Sequence, residues 1–307
     1  MASPVRDARL VAANISYLAL FDKGMDMLPT WNQQVCEMAP SDTEANVYPW
    51  LQDIGAFERN KGERRYQTLA ALEYYLRNEV FDDAIRIPLD AVKDDKLGLF
   101  NRSFQQLGMQ AKKFPDYFTL ELITGYASKK CYDGQPFFSN AHPIDPNAQG
   151  SATFSNLLTA KPLTQSNYDT GRVTMQQFKS ETGFFRGYVP DLLIVGADNE
   201  FKAKKIVGIP TDAGTSGSDA GNRENVFYGS AKLLVIPEWD AQGQWILAHT
   251  QRLKPFARQV REAARMLPAL GESSEHAIKH RELLYVAEAR EAYGYTHPYL
   301  AILNQPS

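Results

Sequence analysis

Cys131 and His142 are the residues of this 307-residue chain whose types could do covalent chemistry, a thiol and the imidazole that would deprotonate it. Such a pair must meet in space, with a third group orienting the ring. Nothing local activates the cysteine, because Tyr132-Asp133-Gly134 reads as a turn and not as a helix N-terminus. Cys131 is therefore expected to be a structural loop residue. His276 and His280 have the i, i+4 spacing that puts two imidazoles on one helical face, as a metal ion requires. Their segment lacks the glutamate of a zinc-protease helix and sets Lys279 beside the second histidine, so it reads as a solvated polar stretch. Gly214, Gly217 and Gly221 could line a phosphate loop, but no Lys-Ser/Thr follows them and Asp219 would repel an anion. The carboxylates of Asp82-Asp83 and Asp94-Asp95 are sequence neighbours, a spacing that makes no acid/base dyad. No catalytic residue, metal site or cofactor is expected on these grounds.

A chain without a catalytic cluster has to be understood through its elements. Its 33 basic and 36 acidic side chains give a net charge of −3, without the basic excess of a dedicated nucleic-acid binder. Hydrophobic residues make up 44% and charged residues 22%, the composition of an ordinary folded protein. No uninterrupted apolar run is long enough to span a membrane. Two cysteines cannot build a disulfide framework, and a reducing cytoplasm is the natural compartment.

Arg6 and Arg9 before the apolar run 10–21 imitate a signal peptide. Asn14 and Ser16 interrupt that run, and an amphipathic arm helix with Val11, Ile15 and Leu18 on one face is expected instead. Residues 22–43 read as a connecting arm. Over 46–90 the chain is aromatic and β-branched around the charged turn 59–65, and Ile85, Ile87 and Leu89 should share one strand face. Residues 68–77 suit helix or strand equally. A ribbon of this kind cannot bury its own faces, which points to assembly. Phe100, Phe104, Leu107, Ala111, Phe114, Phe118 and Leu122 then form one apolar helical stripe, with a kink or a second start expected at Pro115. A second helix is expected within 163–182, with Val173, Met175 and Phe178 partly buried. A buried strand is expected at 191–196, a short helix at 200–207 and an exposed loop at 208–225. Strands follow at 231–237, 244–250 and 282–303, the last broken at Gly294 and Pro298. The order is mixed α+β, without the regular alternation of a doubly wound sheet.

Several of these stretches resemble the Mu-like phage major head subunit, the gpT family. The similarity rests on Tyr48-Pro49-Trp50-Leu51, Arg64-Arg65 and Asp94-Asp95-Lys96-Leu97-Gly98-Leu99-Phe100. Its most distinctive part is Cys131-Tyr132-Asp133-Gly134-Gln135-Pro136-Phe137-Phe138 followed by Ala141-His142-Pro143. Pro190-Asp191-Leu192-Leu193, Trp245-Ile246-Leu247, Lys254-Pro255-Phe256 with Gln259 and Arg261, and Tyr293-Gly294 extend it to most of the chain after residue 45.

The resemblance implies the Hong Kong 97-type capsid fold and the major capsid protein of a tailed phage or prophage, self-assembling into an icosahedral shell around double-stranded DNA. Mapped onto this chain it implies an N-terminal arm 1–44, an extended β-ribbon (the E-loop) 45–93 and a peripheral domain 94–187 with spine helix 94–128. An axial domain 188–250 and a return to the peripheral domain over 251–307 complete it. Implied partners are further copies in pentamers and hexamers, a separate scaffolding protein, a portal, a decoration protein, and DNA bound without sequence specificity. Assembly in the host cytoplasm is implied too. Arg59, Lys61, Arg64 and Arg65 at the ribbon tip are the candidates for inter-subunit ion pairs, and Lys61 has no identifiable asparagine partner for a covalent crosslink. The alternatives are an encapsulin-like compartment shell of the same fold and a Cys131/His142 hydrolase.

Overall fold

The structure is a computed structural model and describes residues 8–51, 71–89, 91, 97–212, 223–268 and 274–306. It begins with helix α1 (Ala8–Asp26), the one-turn helix α2 (Asn32–Val35) and strand β1 (Cys36–Pro40). Strands β2 (Ala45–Leu51) and β3 (Ala71–Arg77) pair antiparallel as the two legs of a ribbon, and β4 (Glu79–Pro88) follows. The long helix α3 (Leu97–Thr124) leads into a loop carrying β5 (His142–Pro143), β6 (Thr153–Phe154) and β7 (Leu157–Leu158). After α4 (Gln165–Gln176) come β8 (Leu192–Val195), α5 (Glu200–Ala203) with a π-helical turn Lys204–Gly208, β9 (Thr211–Asp212) and β10 (Arg223–Glu224). β11 (Lys232–Val235), β12 (Trp245–Ala248), β13 (Phe256–Leu267), α6 (Glu275–His280), β14 (Glu282–Tyr295) and β15 (Ala301–Asn304) complete the order. No helix among the described residues is long and apolar enough to cross a membrane.

Two sheets organise the chain. The first, in order β1-β13-β14-β4, is built on the long β13–β14 hairpin, with β1 parallel to β13 and β4 antiparallel to β14. Ile87 and Leu89 are buried and Ile85 partly so, as the alternation required, and they meet α1 and α3. The second sheet, in order β11-β8-β12-β15-β7, is buried along the whole of β8, β12 and β15. Leu192, Ile194, Ile246 and Leu303 face Leu122, Phe137, Phe256 and Tyr295 of the first lobe. Leu193, Val195, Trp245 and Ile302 face α4 and the turn after α5. Residues 68–77, open between helix and strand, become β3 where they are described.

α1 turns a different face inward from the one expected. Val11 is 41% and Ile15 65% exposed, while Ala13, Tyr17, Phe21 and Gly24 are buried. The aromatic stripe wins because Tyr17 stacks on Phe104 with centroids 4.0 Å apart and meets Tyr285 edge-on at 5.3 Å. Gly24 and Gly108 then let the two helices touch backbone to backbone. A Cβ on Gly24 would lie 2.2 Å from the Gln105 carbonyl oxygen, and one on Gly108 2.1 Å from that of Phe21.

Further differences have local causes. α3 runs through Pro115 without a second start, and the Thr119 hydroxyl donates to the Pro115 carbonyl at 2.7 Å. In α4 the buried side is Tyr168, Gly171 and Met175, so Val173 points outward at 42% exposure. β14 is not broken at Gly294 but passes straight through it, and the break comes at His297-Pro298 before β15. Gly294 is small because a Cβ there would meet Leu76 Cδ2 at 2.3 Å.

Candidate inter-subunit surface

The ribbon is rooted in a buried polar hub. Gln259 of β13, fully buried, donates through Nε2 to Asn78 Oδ1 at 2.7 Å and to the Leu76 carbonyl at 3.3 Å. Asn78 Nδ2 donates to Ser41 Oγ (3.0 Å) and to the carbonyls of Thr43 (2.9 Å) and Glu44 (3.2 Å). These bonds satisfy the chain where it leaves β1 for the ribbon and where it comes back to β4. A polar group buried here without its partner would cost about 1–3 kcal/mol. Leu76 adds the apolar half by packing on Ala257, Ala292 and Gly294 across the sheet.

The arm is fixed by a second network. Asp116, buried just after Pro115, accepts from Trp31 N (3.1 Å), Asn32 N (2.9 Å) and Asn32 Nδ2 (2.7 Å). Its carboxylate therefore caps the one-turn helix α2 from 84 residues away. Beside it Arg258 forms a two-point pair with the buried Glu291, Nε to Oε2 and Nη2 to Oε1, both at 2.7 Å. The Tyr293 hydroxyl donates to Glu291 Oε2 at 2.6 Å, and burial followed by the Glu291 charge pushes that phenol well above its ordinary range.

Between α3 and the outer strands of the first sheet runs a groove of about 490 Å³. Leu107, Phe114, Phe118, Phe81 and Ala287 make its apolar lining, and Asp82, Asp83 and Glu288 contribute carboxylates. β4 is the outer strand of that sheet, with Val80 65% exposed. The groove thus combines aromatic rings, negative charge and a sheet edge.

The residues singled out for chemistry have structural work instead. Cys131 and Cys36 are buried free cysteines. Burial, followed by the charge of Asp133, pushes the Cys131 thiol well up, and burial raises the Cys36 thiol to about 12. Both ring nitrogens of the fully buried His142 face acceptors, Asp133 Oδ2 at 2.6 Å and the Phe137 carbonyl at 3.1 Å, so neither is placed to serve a thiol as base. His276 and His280 do share a helical face, their ring centroids 4.8 Å apart. Among the described residues no group of three or more metal-ligating side chains is placed to hold an ion. Arg59, Lys61, Arg64 and Arg65, like Gly214, Gly217, Gly221, Asp94 and Asp95, lie outside the described residues.

Comparison with known proteins accounts for a fold made of one long helix, a rooted ribbon and two sheets. The sequence profile of the Mu-like prophage major head subunit gpT matches residues 10–162 and 157–239. The chain belongs to the Mu-like gpT major head subunit family. It is 30% identical over 152 residues to the major capsid protein of Escherichia phage Mu, an alignment covering 50% of this chain and spanning only half the length of the Mu protein. In three dimensions it resembles a chain of the procapsid of bacteriophage JBD30, with a TM-score of 0.58 and 21% identity over 98% of this chain and 75% of that one. The capsid of the same phage decorated with minor capsid protein trimers gives a TM-score of 0.53 and 21% identity, covering 76% of this chain and 99% of that chain. The fold is the Hong Kong 97-type phage capsid fold, an α+β architecture, as the resemblance implied.

Within this gpT-family chain the distinctive stretch 131–143 acquires a physical meaning. It is the loop that follows α3 and closes on itself through the Asp133–His142 clasp. Gln135 N donates to Asp133 Oδ1 at 3.0 Å, Asn156 Nδ2 donates to the Phe137 carbonyl at 2.7 Å, and Phe137 stacks on Tyr295 at 4.6 Å. Gln259 and Gly294, part of the gpT resemblance, root the ribbon. Asn78 and Asp116, which do comparable work, carried no signal because a lone polar residue announces its role only through partners distant in sequence.

Proposed function

We propose that this chain is the major capsid protein of a tailed phage or Mu-like prophage, many copies of which tile a closed icosahedral shell around double-stranded DNA. Family membership over residues 10–239 together with the capsid fold is the observation that carries the reading. The arm comprises 1–44, the E-loop 45–93, the peripheral domain 94–187 with the return 251–307, and the axial domain 188–250 with the closing strand β15 beside it. The partners are copies of itself in pentamers and hexamers, a separate scaffolding protein, a portal and packaged DNA held without sequence specificity, and assembly takes place in the bacterial cytoplasm. The decorated JBD30 capsid supports a decoration protein here too. The protein is a structural one and not a hydrolase, a reading supported by the buried thiol of Cys131 and the engaged ring of His142.

In this reading the ribbon tip of one copy docks on its neighbour. Residues 59–65 carry Arg59, Lys61, Arg64 and Arg65 against the single acid Glu63, and the groove offers Asp82, Asp83 and aromatic rings. Opposite charges arranged this way select register and partner even where each pair is worth little. Negative-stain imaging of the natively purified protein, with its phage's scaffold supplied, should show closed shells or capsomer rings. A monomer under every salt condition would overturn the capsid reading. The variant carrying Arg64→Glu and Arg65→Glu should lose shells, and adding Asp82→Lys and Asp83→Lys should restore them. Shells formed normally by the first variant would sink the ribbon–groove contact and leave the capsid reading standing.

A further inference from the structure

Strand β4 closes one side of the first sheet, and its partners reveal which way its main chain points. Its 10 residues pair with β14 without a register shift, from Glu79 opposite Glu291 to Pro88 opposite Glu282. Just beyond, Leu89 N donates to the Arg281 carbonyl at 2.9 Å in the same register. In an antiparallel pair, residues that exchange hydrogen bonds alternate with residues that turn their main-chain groups away. The odd-numbered residues of β4 are therefore spent on β14, and Val80, Asp82, Ala84 and Arg86 turn their N–H and carbonyl groups outward. Pro88, with no N–H to give, falls on the outward side, where an edge strand tolerates proline. The Ala84 N–H donates instead to Asp83 Oδ1 at 2.8 Å. Among the described residues no main-chain group pairs with the outward side of the other three.

Such an edge is a template for one more strand unless bulges, lysines or prolines blunt it. Here the Asp83 bond blunts the middle and Pro88 the far end, while Val80 at the near end is 65% exposed. On the α3 side the edge is flanked by two cavities of about 490 and 510 Å³ that share Asp83, Leu107 and Gln110. Alternate side chains of an added strand would enter them. The edge selects a basic occupant, because Glu79, Asp82 and Asp83 outnumber Arg86 along β4, and Glu288 lies opposite Asp82. We propose that residues 63–69 of a second copy's ribbon add to β4 as a fifth strand, held by main-chain hydrogen bonds to Val80, Asp82 and Arg86. Alternation puts Arg64 and Tyr66 on one face of that segment, matching the acids and aromatic rings of the groove. The inference deepens the ribbon–neighbour contact proposed above and rests on it. Charge chooses the partner, and the sheet edge fixes its direction and register.

The test uses the full-length variant Arg64→Glu, Arg65→Glu as host, because its own ribbon no longer matches the acidic edge. A fluorescent peptide of native residues 57–69 should bind this host saturably, read as anisotropy. Adding Val80→Pro to the host should weaken binding at least tenfold, since it removes one outward N–H and spares the β14 ladder. Val80→Ala, which keeps that N–H, should change binding less than threefold. Arg86→Pro against Arg86→Ala repeats the comparison at the other end and decides the matter if Val80→Pro does not fold, which circular dichroism checks. Amide exchange in the peptide complex should slow at Val80, Asp82 and Arg86 and stay unchanged at the odd-numbered residues already bonded to β14. Equal binding by the proline and alanine variants overturns strand addition and leaves a contact made by side chains alone. No saturable binding to the host overturns it as well, and native shells seen by negative stain would still uphold the capsid reading.

Discussion

At the scale of single residues, polar side chains with distant partners set the geometry. Gln259 and Asn78 serve three separate stretches of chain with five donated bonds, so loss of either leaves buried groups unsatisfied. Asn78→Ala should lower unfolding stability by about 2 kcal/mol, measured as a shift in the urea midpoint at unchanged slope. Its effect and that of Gln259→Ala should be far from additive, because each destroys the same bond; additive losses in the double variant would show that the hub is two independent contacts. Cys131 yields a different expectation. A buried thiol held well above its ordinary pKa presents almost no thiolate near neutral pH. Iodoacetamide at pH 8 should leave Cys131 unmodified in the native protein and alkylate it in urea. Rapid native alkylation would mean that the loop 131–143 opens.

At the scale of elements, the α1–α3 contact is the sharpest case. Gly24 and Gly108 bring two backbones together at a distance no Cβ tolerates, and the obstructing atoms are carbonyl oxygens that cannot rotate away. Gly108→Ala must push α1 off the long helix, uncovering part of the Tyr17–Phe104 stack. Overpacking of a core usually costs about 1–3 kcal/mol, and a backbone clash belongs at the upper end. Thermal melting should fall by several degrees, and limited proteolysis should cut within 8–26 before it cuts elsewhere. A variant with unchanged melting and cleavage would mean that the helices do not pack this closely. This contact also shows how far the elements were legible. The α3 stripe and the β4 alternation could be read directly because their period is local and their apolar residues all lie on one face. The inward face of α1 could not, because Val11, Ile15 and Leu18 match a helical period as well as Tyr17 and Phe21 do. Only the aromatic partners on α3 and β14 break the tie. Likewise Gly294 looked like a strand breaker until Leu76, 218 residues earlier, was found lying against it.

At the scale of the whole molecule, the two lobes are joined by groups whose charge depends on pH. His297 lies in the connection from β14 to β15, between the rings of Tyr132 (5.7 Å) and Tyr299 (4.7 Å), so it touches both sheets' loops. Burial, followed by the nearby Arg186 cation, lowers its pKa to about 3. The unfolded chain takes up a proton near pH 6.5 that the native chain refuses until about pH 3. Stability from this group is therefore complete above about pH 6.5 and declines as the pH falls through that window. A second joint, Lys113 on α3 with Glu238 after β11 (2.7 Å), acts lower down. The Lys113 hydrogen bond depresses the Glu238 carboxyl below its ordinary value of 4.5, so its contribution is lost only on further acidification. Since that pair is about one-third exposed, it is worth well under about 1 kcal/mol. Between pH 6.5 and 4.5 the histidine's contribution is then the larger of the two. Urea unfolding of the purified protein at pH 7, 5.5 and 4.5 should show His297→Phe losing about 2–3 kcal/mol less than the unaltered protein across that interval. The phenyl ring keeps the stacking on Tyr299, which separates the loss of a proton site from the loss of a packed side chain. Parallel pH profiles for the two proteins would show that His297 titrates no differently in the native and unfolded chains. A steep acid limb confined to the unaltered protein would locate the acid-labile joint between the lobes.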